Sequence, residues 1–298
     1  MSFIEPHFGE IIALLTAVVW AGAVILFKKS GETVHPIGLN LFKDLLALLL
    51  FLPTMWILGE SLFRSVPVWD YILLLASGAL GIGLADTLYF KSLNRLGAGL
   101  MSIVVCLYSP FIIVLSMFYL NETLTLWQVF GAGLIVSAVL AASFERQSNG
   151  LTRRQIAEGM IWGILAQIAN GVGIVMIKPL LDRSPLLWVT EVRLVGGVAV
   201  LLIAVAVHKK RREIIQSVKS KQRWVYTLSG SIMGGFLAMV LWLGGMKFTQ
   251  ASIASALNQT ASVFIFIFAV LFLKEPITRY RLIGIGLAML GVMLVTVL

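Results

Sequence analysis

The chain is short of charge. Only 12% of its 298 residues are Asp, Glu, Lys or Arg, against about a quarter in soluble proteins. Such a chain cannot cover its own apolar core with polar surface, so an ordinary water-soluble domain is excluded. Cysteine is nearly absent: Cys106 stands alone, and an intrachain disulfide is impossible. The three histidines, His7, His35 and His208, fall at the ends of apolar runs or in loops without ligand-spaced partners, so no metal centre is expected. No GxxxxGK[ST] motif occurs. The glycine-rich GALGIG at 78–83 lies inside an apolar run with no strand before it, which excludes a nucleotide loop.

What the chain does have is apolar length. Hydrophobic residues make up 59% of it and the mean hydropathy is +0.96. A membrane helix takes about 20 apolar residues. Ten runs fit: 9–27, 36–58, 69–90, 98–120, 124–143, 156–178, 186–207, 224–247, 250–273 and 279–297. They predict an all-α integral membrane protein in contact with the lipid bilayer, with no room for a soluble domain. The first run is flanked by Glu5 and Glu10 and is followed, not preceded, by Lys28 and Lys29; a secretory signal has the opposite flank.

The net charge of +9 comes from loops between the runs. No basic stripe alternates with aromatics, so nucleic acid is not an expected partner. Lys28 and Lys29, Lys91 and Arg95, Arg146, Arg153 and Arg154, the Lys209–Arg223 stretch, and Lys274, Arg279 and Arg281 all fall in odd-numbered loops. Basic loops stay in the cytoplasm, so both termini are expected on the other side of the plasma (inner) membrane.

The sequence also repeats. An offset of 150 lays Gly9 on Gly159, Lys28 on Lys178 and Lys43 on Arg193. An offset of 153 lays Gly81 on Gly234, Ser102 on Ser255, Ser109 on Ser262, Glu122 on Glu275 and Gly131 on Gly284; over 78–141 about a quarter of positions are identical. The predicted organisation is a first five-helix repeat at 1–144, a polar linker at 145–155 and a second five-helix repeat at 156–298. Five is odd, so the second repeat enters the membrane from the opposite side. Inverted repeats suit alternating access to a central site.

The segment SPFIIVLSMFYLNETLTLWQVFGAGLI, from Ser109, resembles the fourth and fifth helices of EamA-type carriers in the drug/metabolite transporter superfamily. Pro110, Glu122, Gln128 and Gly131 carry the likeness. In the second half, LKEPITRYRLIGIGL supplies Glu275 and Gly284, with Val263 in place of the proline and Arg281 in place of the glutamine. The resemblance implies a ten-helix carrier with a central cavity, its fifth and tenth helices peripheral, moving small metabolites such as amino acids or drug-like amphiphiles.

Polar residues inside spans are costly and so informative. Asn40, Lys43, Asp44 and Ala47 share one helical face of the second run. Thr190, Arg193 and Gly197 hold the equivalent places in the seventh. The two cations either bind an anionic group of a solute, or snorkel to headgroups or lock to a carboxylate. Asp86 can reach Lys43, and Glu191 can reach Lys178. These acids are static partners or proton-coupling groups.

Ser102, Cys106 and Ser109 form a stripe repeated by Ser255, Gln259 and Ser262, with Ser252 and Asn258 alongside. Serines of this kind glue helices together; the amides of Asn258 and Gln259 need more partners and suit a cavity. Trp20 and Asn170 hold matched central positions of the first and sixth runs, with Gln167 one turn before Asn170. Trp20 is a candidate substrate wall or a packed core ring. Glu122 and Glu275 are expected to cap the helices that follow them. No cofactor is implied, and ten spans complete a pathway in one chain, so a monomer suffices. A sensor or scaffold, or an integral-membrane enzyme, is the rival reading, although no nucleophile–base pair or carboxylate pair at working distance supports catalysis.

Overall fold

The computed structural model describes residues 7–120, 125–143, 151–219, 222–248 and 257–297. Within them the chain is helical. The order is α1 (Phe8–Ser30), α2 (Pro36–Ile57), α3 (Val68–Gly78), a π-helical turn (Ala79–Leu84), α4 (Ala85–Leu96), α5 (Ala98–Val105), α6 (Tyr108–Leu120), α7 (Leu126–Ser143), α8 (Arg153–Val175), α9 (Lys178–Leu181), α10 (Leu186–Val207), α11 (Arg211–Lys219), α12 (Trp224–Gly230), a second π-helical turn (Ser231–Leu237), α13 (Ala238–Phe248), α14 (Ala261–Leu273) and α15 (Arg279–Val297).

Among the described residues, seven stretches are long and apolar enough to cross a membrane: Phe8–Ser30, Pro36–Ile57, Val68–Leu96, Ala98–Leu115, Arg153–Val175, Leu186–Val207 and Trp224–Gly245. The shorter apolar helices Leu126–Ala142 and Leu257–Leu273 fall on the fifth and ninth sequence runs, and α15 falls on the tenth. The third run continues as helix to Leu96, six residues past its apolar end at 90. Large apolar side chains such as Leu49, Leu202, Ile203, Leu271 and Leu290 stand more than a third exposed. This is the surface of a multi-pass integral membrane protein, whose solvent around the waist is lipid.

Local chemistry sets the helix ends. Pro36 opens α2, where a missing N–H costs nothing. Thr152 and Gln155 form a reciprocal capping box at the start of α8. Prolines set two breaks. The ring of Pro110 excludes the bond to the Cys106 carbonyl, and the Ser109 N–H takes that carbonyl instead at 3.3 Å. Pro179 acts likewise on the end of α8, so the sixth run stops at Val175 and restarts as α9.

The irregularities recur at the offset read from sequence. The π-helical turns at 79–84 and 231–237 overlap under a shift of 153. So do the breaks at Cys106–Leu107 and at Thr260, although the second lacks a proline there. Pairing is also reciprocal between the halves. α1 packs along α12, the second π-helical turn and α13, while α8 packs along α4 and the first π-helical turn. α2 packs on α10, α5 on α14, and α7 on α15. The largest apolar core gathers Phe27, Leu93, Leu96, Leu100, Met101 and Ile103, with alanines letting the backbones approach.

One expectation about caps changes. Glu275 does not cap the helix that follows it. Its Oε1 accepts the Ala98 N–H at 2.7 Å and its Oε2 accepts the Gly99 N–H at 3.1 Å and an Arg281 N–H at 2.8 Å. It thus caps α5 in the other half. Gly97, at φ 85°, turns the chain into that helix, and a Cβ on Gly97 would lie 2.6 Å from the carboxylate. The two loops close on each other because α5 presents free N–H groups and partial positive charge there. Glu122 lies outside the described residues. Glu275→Ala removes the acceptor of a buried ion pair and of two backbone donors, so it should cost about 3 kcal/mol; the thermal midpoint in detergent against wild type measures this.

His35 and His208 meet in the same end of the molecule, with ring centroids 5.8 Å apart. His35 Nδ1 accepts the Ile37 N–H at 3.3 Å and so caps α2. Burial, then His208 and Lys91, lower the His35 pKa below its usual 6.5, with Lys210 adding to this and Glu213 opposing it. The unfolded chain therefore binds the proton more readily. Stability from this group is complete above about pH 6.5 and falls as pH drops toward the lower folded value. A melting series from pH 7.5 to 5 should show a decline that His35→Asn, which keeps a capping oxygen, flattens.

Candidate functional site

The site forms where α2, α4, α8 and α10 surround the first π-helical turn. Asn40 makes that turn workable. A π-turn leaves carbonyls unmatched, and Asn40 Nδ2 donates to the Ile82 and Gly83 oxygens at 2.9 and 3.1 Å and to Thr87 Oγ1 at 3.2 Å. Asn40 is fully buried. Its contacts are therefore with the fold, and it holds α2 against the bent segment.

One turn on, Lys43 lies between two acids. Its ammonium donates to Asp86 and stands 3.0 Å from Asp44 Oδ1. The Lys43 and Asp44 side chains are 9% and 1% exposed, while Asp86 is 32% exposed. Lys43 is thus an interior ion-pair residue rather than a snorkelling one. An aromatic wall flanks it: Lys43 Nζ is 5.8 Å from the Phe90 ring centre, Tyr89 packs on Phe90 at 5.7 Å, and Trp20 lies 6.5 Å from Tyr89.

Arg193 is in a different situation. Its Nε donates to Ser77 Oγ at 3.0 Å, and Ser77 in turn donates to the Gly173 oxygen of α8. This relay fixes the guanidinium plane. Among the described residues no carboxylate pairs with it. Asp86 and Tyr108 are its ionisable neighbours at longer range. A Cβ placed on Gly81 would lie 3.2 Å from Arg193 Nη2 and 3.6 Å from Asn170 Oδ1. The absent side chain at Gly81 therefore lets Arg193 and Asn170 come together over it. Both remain partly exposed although they sit mid-helix.

The stripe on the fourth and ninth runs closes on itself. Gln259 Nε2 donates to Ser109 Oγ at 2.8 Å, and Cys106 Sγ donates to Ser262 Oγ at 3.4 Å. Cys106 and Ser262 are buried, as packing between helices requires. Asn258 is partly exposed. Ser252 and Ser255 lie outside the described residues.

The Glu191–Lys178 contact does not form. Lys178, carried off the α8 axis by the break at Pro179, approaches Asp182 at 3.7 Å. Glu191 is fully buried on α10, and neither carboxylate oxygen has a hydrogen-bond partner.

The site thus brings together Trp20, Lys43, Asp86, Asn170 and Arg193. It also contains Tyr108, Tyr89, Ser77 and Gly81, none of which the sequence marked as a site residue. Tyr108 adjoins Ser109 in the polar stripe, and Tyr89 follows Asp86 by three residues; helical spacing could have found both. Ser77 and Gly81 read as ordinary small packing residues, and nothing local distinguishes them.

A protein described as an uncharacterized transporter from Archaeoglobus fulgidus is 25% identical over 288 residues, covering 96% of this chain and 97% of its own. A second, with the same description, from Methanothermobacter thermautotrophicus is 24% identical over 291 residues, covering 94% and 83%. A chloroplastic WAT1-related protein of Arabidopsis thaliana is 23% identical, covering 93% of this chain and 66% of its own. One protein crystal structure shares the fold at a TM-score of 0.69 and 17% identity, covering 97% of this chain and 96% of that one. The EamA-like transporter family matches twice, at residues 7–144 and 157–297. With both matches spanning nearly all of its apolar helices, this chain belongs to the EamA-like transporter family and is a multi-pass membrane transporter.

Proposed function

We propose that the chain is a secondary transporter that moves a small organic metabolite with a carboxylate, an amino acid or a related amphiphile, by alternating access. The observation that carries this reading is Arg193. A guanidinium inside a membrane protein is expensive, and this one is oriented by Ser77 yet has no carboxylate partner among the described residues. A planar, partly exposed fork of N–H donors suits a solute carboxylate. Asn170 adds polar recognition beside it, Asp86 offers a carboxylate for an ammonium group, and Trp20 with Tyr89 supplies an apolar wall. Asn258 and Gln259 extend the lining toward the ninth run.

The body is read as ten spans in two inverted five-span repeats, 1–144 and 156–298. Reciprocal helix pairing and the recurring π-turns support this reading. The charge of the loops favours the plasma (inner) membrane with both termini outside the cytoplasm, working as a monomer. Drug-like cations are a second solute class, favoured by the aromatic wall and Asp86.

The test is transport by purified protein in liposomes, against amino acids, purines, sugars and cationic drugs. Saturable uptake with counter-flow of an amino acid is the expected result. Linear, non-saturating flux would indicate a channel, and no flux of any solute would leave the sensor or scaffold reading. Tag accessibility should place residues 30–35 and 180–185 on opposite faces of the membrane.

A further inference from the structure

Two acceptor oxygens on α2, beside the site, have no donor. Asn40 Oδ1 and Asp44 Oδ2 are both buried and without a hydrogen-bond partner, on side chains 0% and 1% exposed. They belong to residues four apart on α2, one above the other on a single face. Buried polar atoms are ordinarily satisfied, and an orphan costs about 1–3 kcal/mol. Two orphan acceptors on one helical face call for a donor.

Charge points the same way. Within ion-pair distance of Lys43 there are two carboxylates, Asp44 and Asp86. One cation in contact with two anions leaves this three-residue cluster an excess negative charge in a low-dielectric interior. Among the described residues no other cation is in contact with Asp44 or Asp86. From α4 come Asp86 itself and Tyr89, whose hydroxyl is also buried without a partner. From α10, Arg193 donates its Nε to Ser77 and reaches Asp86 only at longer range, and Glu191 has no hydrogen-bond partner. The second π-helical turn, SIMGGFL, carries no ionisable group. The charges of α11 lie by the first turn of α2, where Ser217 accepts the His35 N–H and Ile214 meets Gly38. Tyr226 of α12 is exposed.

We propose that Asp44 holds a proton on Oδ2 and donates it to Asn40 Oδ1, and that this buried acid is the proton-binding site of the carrier. One proton satisfies both orphan atoms and balances Lys43 against Asp86. Sodium fits less well. It needs several oxygen ligands, but the nearby Ile82 and Gly83 carbonyls are already taken by Asn40 Nδ2, whose own positive end would repel it. Asp86, a third exposed, connects the pair to the surface. Proton exchange at Asp44 would therefore pass through Lys43 and Asp86, the groups that border the solute site. The proposal rests on the transport reading for its role in coupling, but its test needs no solute.

The measurement is infrared difference spectroscopy of the purified protein in lipid, following the carbonyl stretch of neutral carboxylic acids from pH 5 to 9. The wild type should show a hydrogen-bonded acid band that Asp44→Asn removes. Asp86→Asn should remove the same band, because Asp44 must then ionise as the sole counter-ion of Lys43. Asn40→Ala should shift it, through loss of the acceptor. Glu191→Gln should leave it in place. A spectrum unchanged by Asp44→Asn overturns the proposal, as does a band that survives Asp86→Asn. A band that sodium abolishes, against choline at equal ionic strength, assigns the site to a metal ion and overturns it too. Absence of any such band in the wild type would mean that a water donates to both oxygens in place of the proton, and this also overturns it.

Discussion

Arg193→Met should abolish solute transport while leaving the protein folded. Methionine keeps the length and apolar stem of the side chain but removes every donor. Ser77 would lose its Nε contact yet keep its bond to the Gly173 oxygen, so the α3–α8 junction stays in place. The expected loss is that of a charge-assisted pair in a desolvated site, about 3 kcal/mol or more, which is at least about a hundredfold in transport efficiency. Arg193→Lys should fall between the two, because it retains the charge and loses the planar fork. Uptake in liposomes, alongside thermal melting and gel filtration of each variant, checks this. Full activity in Arg193→Met would remove the anion-binding reading and with it the preferred solute class.

Gly78→Val should prevent accumulation of folded protein. A Cβ at Gly78 would lie 1.8 Å from the carbonyl oxygen of Arg193, which is backbone and cannot swing aside. The reciprocal position is as tight: a Cβ on Gly196 would be 2.2 Å from the Leu75 oxygen. Here α3 and α10 cross with their backbones in contact, and Gly83 against Gly197 continues the same seam one turn further. Overpacking a flexible core costs about 1–3 kcal/mol; where both obstacles are main chain, the helices must separate and the penalty exceeds that range. Membrane expression and monodispersity after extraction measure it. Gly78→Ala should be nearly as harmful, whereas Gly133→Ala, which meets nothing within 4 Å, should be tolerated. Because Arg193 sits on this seam, any Gly78 variant that does fold should also show impaired transport.

These two residues mark the boundary between what was readable and what was not. The cation at position 193 was legible because an ionisable residue among apolar neighbours is rare, and because the repeat aligned it with Lys43. Its partner status was not. Lys43 and Arg193 look equivalent in sequence, yet one is held by Asp44 and Asp86 and the other has no carboxylate partner among the described residues. The difference lies in which helices lie opposite: α4 brings Asp86 to Lys43, while α3 brings only a serine to Arg193. Gly78 reads as one glycine among many, and only the crossing of α3 and α10 shows that no larger residue fits. The Glu191–Lys178 expectation failed for a similar reason. Both residues stand near helix ends on paper, but the break at Pro179 swings Lys178 toward Asp182. Glu275 acts on α5, in the other half of the chain, and no sequence spacing would have paired it with Ala98 and Gly99.

The sequence alone determined the solvent and the helical class, because hydropathy is a property of single segments. The tertiary structure decided which polar groups neutralise one another and which stay available. That outcome depends on distances of a few ångströms between segments far apart in the chain. In a low-dielectric interior such distances set whether a charge is a structural partner or a binding group.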